Sequence, residues 1–201
     1  MSDNLFESAF QRQWFGKYQA TVTDNADPDN LGRVKVRVPA LGDVELGWAL
    51  PCVPYAGDKV GFYMIPAPDA HVWVEFEGGD PSRPIWVGGY WTSDQMLDDA
   101  APDLKIIKTV AHTITLDDTD GSEKIEIKHK SGTTVTIDTS TLTITHSDGA
   151  TVTINSSSTT IDASGPKITL DSSGITLENG GQKVTIGAAS VSVNGTSLEI
   201  M

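Results

Sequence analysis

Residues 133–154 read TTVTIDTSTLTITHSDGATVTI, and this stretch decides the fold of the second half of the chain. Aliphatic residues alternate with threonine in three short runs, around Val135, Leu142 and Val152. An alternation of period two predicts β-strands with one apolar and one polar face. Asp148-Gly149 between two of these runs is typical of a tight turn, so the stretch predicts consecutive short strands.

The same unit recurs along residues 105–201 as an irregular internal repeat. Asn or Ser before Gly marks further turns, as at Ser131-Gly132 and Asn194-Gly195. A weaker unit, Thr159 and Ile161, fills the longest gap. The aliphatic pairs, which we predict to form the trimer core, are Ile125 and Ile127, Val135 and Ile137, Leu142 and Ile144, Val152 and Ile154, Ile168 and Leu170, Ile175 and Leu177, Val184 and Ile186, Val191 and Val193, and Leu198 and Ile200.

A single unit of this repeat buries too little apolar surface to offset the ordering of its backbone, so the units must stack. We predict a homotrimer in which three chains form an intertwined, triple-stranded β-helix, or β-prism, with backbone hydrogen bonds between chains. A single-chain β-helix would need bulky side chains in a wide interior, yet residues 92–201 contain no aromatic residue. The sequence leaves two alternatives to the trimer open, the single-chain β-helix and an open sheet or sandwich.

Residues 18–92 differ in composition from the second half of the chain. All 14 aromatic residues of the chain lie at or before Trp91. Valines alternate with charged residues from Val34 to Val38, and Val72 to Phe76 alternates similarly. About five strands without a helix between them predict a small Greek-key barrel, either an OB-fold or an SH3-like barrel. The polar residues 93–104 are interpreted as a linker. Residues 1–17 are interpreted as an amphipathic segment that covers the barrel or docks on a partner.

The charge and cysteine content exclude several classes of function. With 27 acidic and 14 basic residues the formal net charge is -13, which disfavours nucleic acid as a direct partner. The lone Cys52 excludes an intrachain disulfide framework. The sequence contains neither a run of about 18 apolar residues nor a signal-like start, so we expect no membrane span and no signal peptide.

Candidate chemistry is sparse, and we predict neither an enzyme nor a cofactor. Cys52 lacks a catalytic motif around it, and the neighbouring acids at 98–99 and 117–118 are interpreted as turn or linker residues. His71 and His112 are interpreted as surface residues. His129 and His146 each continue the apolar side of a strand, so a threefold assembly would present them as rings, a weak candidate for axial ion sites.

Two blocks of sequence resemble the baseplate assembly protein V of phages and the related VgrG-like spikes of contractile injection systems. The first block is DPDNLGRVKVRVP at 27–39, followed by Trp48, Ala56-Gly57 and VWVEFEGGDPSRPIWVG at 72–88. The second is HTITLDDTDGSEKIEIKHKSG at 112–132. Within these blocks we expect a salt bridge that fixes a turn, and the predicted structural motif consists of Gly32, Arg33, Gly79, Asp80, Pro81, Arg83 and Pro84.

The resemblance implies a homotrimeric central spike of a contractile tail, docked on a baseplate hub protein and driven through the target cell envelope. It places the protein in the virion tail baseplate or an injection particle, assembled in the bacterial cytoplasm. Some relatives hold an iron at the apex through His-x-His, but the last histidine here is His146, so we expect either a separate PAAR-like tip protein or a blunt end. A receptor- or carbohydrate-binding fibre tip is the alternative, and a β-helix polysaccharide-degrading enzyme is a weaker one.

Overall fold

The computed structural model describes residues 13–195 and 198–200, with side chains described as far as residue 195. The described chain is built almost wholly of β-strands and divides into two compact units, with the boundary between Leu97 and Asp98. The amphipathic segment expected at 1–17 lies mostly outside the described residues. Within the described part of the chain, no helix is long and apolar enough to cross a membrane.

The first unit is a closed five-stranded barrel. The strands of this unit are β1 (Tyr18–Asp24), β2 (Val34–Val38), β3 (Val44–Pro51), β4 (Ala56–Gly57), β5 (Val60–Gly61), β6 (His71–Phe76) and β7 (Pro84–Gly89). The barrel strands follow the order β1-β2-β3-β7-β6, and β6 pairs with β1 to close the sheet. All pairs are antiparallel except β3 with β7. The short strands β4 and β5 form a separate hairpin.

The barrel core follows from the alternation seen in the sequence. Val34, Val36 and Val38 on β2 are fully buried, and Lys35 and Arg37 between them are not. The core is completed by Trp86, whose indole Nε1 donates a 3.1 Å hydrogen bond to the Gly32 carbonyl. A buried indole needs such an acceptor, so this bond connects the barrel core to the loop before β2.

The second unit is one continuous antiparallel sheet of twelve strands, each paired with its neighbours in sequence. Hairpin turns join consecutive strands, as the Asn-Gly, Asp-Gly and Ser-Gly pairs predict. The strands are β8 (Leu104–Lys108), β9 (His112–Asp117), β10 (Lys124–His129), β11 (Thr134–Asp138), β12 (Thr141–Thr145), β13 (Thr151–Asn155), β14 (Ser158–Asp162), β15 (Lys167–Asp171), β16 (Gly174–Asn179), β17 (Gln182–Ile186), β18 (Val191–Val193) and β19 (Leu198–Ile200).

The predicted fold class is confirmed: an OB-like barrel is followed by the strand array of a β-helix spike. The strand pairs are antiparallel hairpins, which excludes the single-chain parallel β-helix. The structure also changes the expected hydrogen bonding between strands. The described strands hydrogen-bond to one another within the chain, whereas the sequence analysis predicted backbone hydrogen bonds between chains.

Candidate functional site

The register of the second unit places the aliphatic side chains in two rows on one face of the sheet, here named the apolar face. Lys105 and Thr159 interrupt the second row. The first row comprises Ile107, Ile114, Ile127, Val135, Ile144, Val152, Ile161, Ile168, Leu177, Val184 and Val193. The second comprises Leu116, Ile125, Ile137, Leu142, Ile154, Leu170, Ile175, Ile186 and Val191.

All eighteen residues predicted for the trimer core occupy positions in these two rows, since β19 continues the register with Leu198 opposite Val193 and Ile200 opposite Val191. Sequence reasoning missed Ile107, Ile114 and Leu116, which extend the rows through β8 and β9. The signal was present, because Ile114 and Leu116 alternate with threonine as the later pairs do.

The apolar face is uncovered in the single chain. Ile168, at the middle of the first row, remains 36% exposed, and Ile127 remains 48% exposed. The buried hydrophobic side chains of the described residues all belong to the barrel, between Ala20 and Trp86. Covering the remaining surface of one such aliphatic residue contributes about 1 kcal/mol. About twenty residues per chain therefore provide a large driving force for assembly, and a monomeric protein rarely leaves so long an apolar patch in water.

The opposite face is mainly polar from β9 onward, and Leu104 and Ile106 of β8 are its aliphatic exceptions. A central row of hydroxyl side chains runs through it, with Thr143 between Thr136 and Thr153, and Thr169 between Thr160 and Thr176. Hydroxyl groups remain well hydrated at a surface, so this face suits contact with water. The two faces therefore define an inside and an outside for any assembly of these sheets.

Aspartates fix the turns at the strand ends. The Asp138 carboxylate accepts hydrogen bonds from the backbone N–H groups of Ser140 and Thr141 and from both hydroxyls, at 2.8–3.0 Å. The backbone donors and then the hydroxyls lower the pKa of Asp138 to about 2. Asp171 makes similar bonds to Ser173. These carboxylates act as turn caps, which explains much of the acidity of the unit without invoking catalysis.

The histidines on the apolar side of the sheet lie at the ends of strands. His129 pairs with His112 across β10 and β9, and the two ring centroids are 5.1 Å apart. His146 is placed apart from this pair, and its Nδ1 lies 2.7 Å from an Asp148 oxygen. The structure thus places His129 opposite His112, which the sequence analysis had interpreted as a surface residue. His71 belongs to the barrel and stacks on Tyr90.

In the barrel, the loop 27–33 is organised around Asp27, a buried carboxylate. Asp27 accepts hydrogen bonds from the backbone N–H groups of Asp29, Leu31 and Arg33, and from the Arg33 guanidinium at 2.5 Å. The Arg33 guanidinium, supported by these backbone donors, holds the pKa of Asp27 well below its usual range. Arg33 also pairs with Asp29. Arg33 therefore fixes the loop that carries Gly32, the acceptor for Trp86.

The turn between β6 and β7 contains the second group of predicted motif residues, from Gly79 to Arg83. Asp80 accepts bonds from the backbone N–H and hydroxyl of Ser82, and Arg83 pairs with Glu77. Gly79 adopts a φ of +78°, and a Cβ there would lie 2.9 Å from the Gln13 Cβ. Only glycine fits this approach of the segment before β1. Pro81 and Pro84 flank the turn, and Pro84 begins β7.

Two aromatic surfaces stand out on the barrel. The hairpin of β4 and β5 and its flanks expose Tyr55, Phe62, Tyr63 and Met64, with Tyr63 71% exposed. The other surface is a cavity of about 660 Å³ bordered by His71, Tyr90 and Trp91 among others. Large exposed apolar groups clustered in this way mark interaction surfaces.

The candidate catalytic residues do not assemble into a site. Cys52 is exposed. Asp99 pairs with Lys108, and Asp118 pairs with Lys105 at 2.6 Å. Asp117 accepts a bond from the backbone N–H of Thr119. Over the described residues, no three side chains of the His, Cys, Asp and Glu types are grouped to hold a metal ion within one chain.

Comparison with known families assigns both units. Residues 18–91 match the family model of the type VI secretion system/phage-baseplate injector OB domain, which decides between the OB-fold and the SH3-like barrel. Residues 105–164 and 161–199 match the phage baseplate V C-terminal trimerisation domain. A search of curated proteins found no match. An OB barrel joined to a trimerisation sheet defines an injector component of a contractile baseplate. The chain belongs to the phage baseplate V family of VgrG-like spikes.

Proposed function

We propose that this protein is the central spike of a contractile phage tail or related injection system, and that it acts mechanically as a homotrimer. The observation that carries the proposal is the apolar face, two aliphatic rows along a sheet that has no buried core of its own. Twelve strands spaced about 4.8 Å apart give a sheet roughly 55 Å long, and five or six residues per strand make it about 18 Å wide.

Three such sheets form the faces of a narrow prism when each turns its apolar face inward. Rotational symmetry brings three copies of every aliphatic residue into one layer, so the interior is filled without aromatic side chains. The threonine row then faces water and keeps most of the outer surface of the shaft polar. A long, polar, closely packed shaft is suited to entering an envelope under the force of sheath contraction, and burial of the aliphatic rows between three sheets should make it unfold slowly.

The barrel is the part proposed to dock on the baseplate hub protein. Its exposed aromatic hairpin at 55–64 offers the apolar anchors that stable interfaces require. In the second unit, the outer edge of β19 is unpaired among the described strands. A PAAR-like tip protein would cover this edge and the end of the aliphatic rows.

A non-enzymatic role fits the residues better than polysaccharide degradation, since Asp138 and Asp171 cap turns and Asp118 pairs with Lys105. A carbohydrate-binding role has one specific observation in its favour, the aromatic cavity beside Tyr90 and Trp91. That cavity lies in the barrel, however, and the second unit contains no aromatic residue to serve as a platform for sugar.

Genetic complementation tests the proposal. The coding sequence is deleted in the host of the particle and restored as the wild-type chain or as an Ile168→Asp variant, which disrupts the apolar face. We expect infection or killing to return only with the wild type, and purified wild-type protein to leave peptidoglycan and capsular polysaccharide intact. Release of sugar fragments by the purified protein, or full activity of the variant particle, would contradict a mechanical spike.

A further inference from the structure

The two lateral edges of the second unit, where its hairpin turns lie, differ in charge at the level of β9 and β10. One edge is formed by residues 108–113 and 128–134, which contain three lysines and no acidic residue. The register brings these segments together, because Lys128 lies opposite Thr113. This edge is here named the lysine edge.

Two lysines of the lysine edge are free to contact another molecule. Lys108 pairs with Asp99 at 3.5 Å. Lys128 and Lys130 are exposed and have no ion pair among the described residues. The backbone N–H of Lys130 donates a 2.9 Å hydrogen bond to the Ala111 carbonyl, which fixes the position of this turn on the edge.

The opposite ends of the same strands form an edge of the other sign, here named the acidic edge. Residues 117–124 contain four acidic residues and one lysine. Lys124 lies opposite Asp117 in the register, and Asp118 pairs with Lys105 at 2.6 Å. The other two acidic residues are exposed and have no ion pair among the described residues: Asp120 and Glu123.

The acidic edge also has a shape that suits a lysine side chain. It contains a groove of about 340 Å³, lined by Leu116, Ile125 and Ile137 and by the carboxylates of Asp118 and Glu123 among others. A lysine packs its aliphatic stem on apolar surface and keeps its ammonium group beside water and acids. The lysine edge of the same chain is about 17 Å away across the width of the sheet, because five residue steps separate the two ends of β10. A side chain from that edge can therefore enter the groove only from another copy of the chain.

Threefold symmetry brings the two edges together. A cyclic trimer joins each chain to the next through two different surfaces, a heterologous contact. When the three apolar faces turn inward, the surfaces that meet at each corner are the two lateral edges of the sheet. Rotation about the axis leaves the height of every residue unchanged, so the edges meet at the level of the same strands.

We propose that the acidic edge of each chain is the docking surface for the lysine edge of the adjacent chain. The contact fixes the common direction and height of the three chains, because sheets that ran in opposite directions would separate the lysines from the acids. The apolar face supplies most of the driving force for assembly, and the charged edges select the arrangement. The inference rests on the proposed homotrimer.

Charge reversal at each edge of the full-length protein tests the contact. One variant combines Lys128→Glu with Lys130→Glu, and the other combines Asp120→Lys with Glu123→Lys. Sedimentation at the urea concentration that half dissociates the wild-type trimer measures the association constant. We expect each variant to lower it about 100-fold or more, because about six attractive contacts in the trimer become repulsive.

The variant with all four substitutions exchanges the charges of the two edges and is the decisive rescue. It should restore the association constant to within about tenfold of the wild type. A pair of misfolded variants could not recover in this way when combined. Glu126→Lys is the matched control, because Glu126 lies on β10 in the middle of the polar face, between Thr115 and Thr136. This control should assemble as the wild type does.

Net charge alone predicts a different result. Asp120→Lys with Glu123→Lys moves the formal net charge of -13 toward zero, so a general charge effect would strengthen assembly. Stronger or unchanged assembly of this variant, or no recovery in the combined variant, would overturn the docking contact and leave the spike intact. A monomeric wild-type chain, measured first, would overturn both the contact and the trimer.

Discussion

Replacement of Ile168 by aspartate is the sharpest perturbation of the apolar face. Ile168 lies in the first aliphatic row between Ile161 and Leu177, and Leu170 follows it on the same face. In a threefold prism, three carboxylates would occupy one layer that is lined by aliphatic side chains. Its register neighbours provide no basic group to compensate them.

The expected cost is large. Each chain loses about 1 kcal/mol of aliphatic burial and gains a buried carboxylate that costs several kcal/mol. Over three chains the penalty is about 10 kcal/mol or more, which corresponds to a factor of about 10⁷ in the association constant at 1.4 kcal/mol per tenfold. The trimer should therefore dissociate at micromolar concentrations, while the barrel of each chain stays folded.

The penalty should depend on pH. Burial raises the pKa of the introduced carboxyl in the assembled state above its value in the dissociated chain. The assembled state then binds protons more tightly, so assembly is favoured below the ordinary aspartate pKa and lost as the pH rises. Sedimentation of Ile168→Asp from acid to neutral pH should show trimers that dissociate as the pH increases.

Thr169→Asp is the matched control, because Thr169 lies on the opposite face between Thr160 and Thr176. This variant should remain trimeric at every pH tested. Ile168→Val, which keeps an aliphatic group, should also remain trimeric. If Ile168→Asp and Thr169→Asp assembled equally well, the assignment of inside and outside faces would be refuted.

Three further predictions concern the barrel and the division of the chain. Gly79→Ala should lower the free energy of unfolding of the barrel by about 2 kcal/mol or more, because a Cβ there meets the segment before β1. Gly78→Ala is the control, because Gly78 has open space around it, and it should cost about half as much. Thermal melts of the two variants measure the difference. Because folding lowers the pKa of Asp27, its contribution to barrel stability is present near neutral pH and falls as the pH decreases from about 5 toward 1. Urea titrations across this range measure the loss, and Asp27→Asn should make the stability less dependent on pH. A fragment ending at Ser93 should fold as a monomer, and one starting at Lys105 should still trimerise; a disordered fragment from Lys105 would show that the barrel nucleates assembly.

Most of the second unit could be predicted from sequence because its signal is local. Alternation fixes which side chains share a face, and turn residues every few positions fix where strands end. The pairing of His112 with His129 was missed because it depends on the length of the loop between β9 and β10. The sequence pattern instead drew attention to His146, because it also continues the apolar side of its strand, but it lies on another hairpin.

In the barrel, the burial of the valines was predictable but the pairing of strands was not. The parallel contact of Leu50 with Ile85 joins distant segments, and no local pattern specifies it. Arg33 was expected in a turn-fixing salt bridge, but its partners Asp27 and Asp29 are a matter of loop geometry. The sequence also could not show that strand pairing stays within the chain, since hairpins and intertwined chains share the same alternation.

The native mass of the wild-type protein at nanomolar concentration shows whether the apolar faces of separate chains cover one another. We expect a single species of three times the chain mass of 21.4 kDa, because the aliphatic rows are covered only when other copies of the chain are present. A folded 21.4 kDa monomer with full β-sheet content would contradict the account, because the apolar face would then be stable in water by itself.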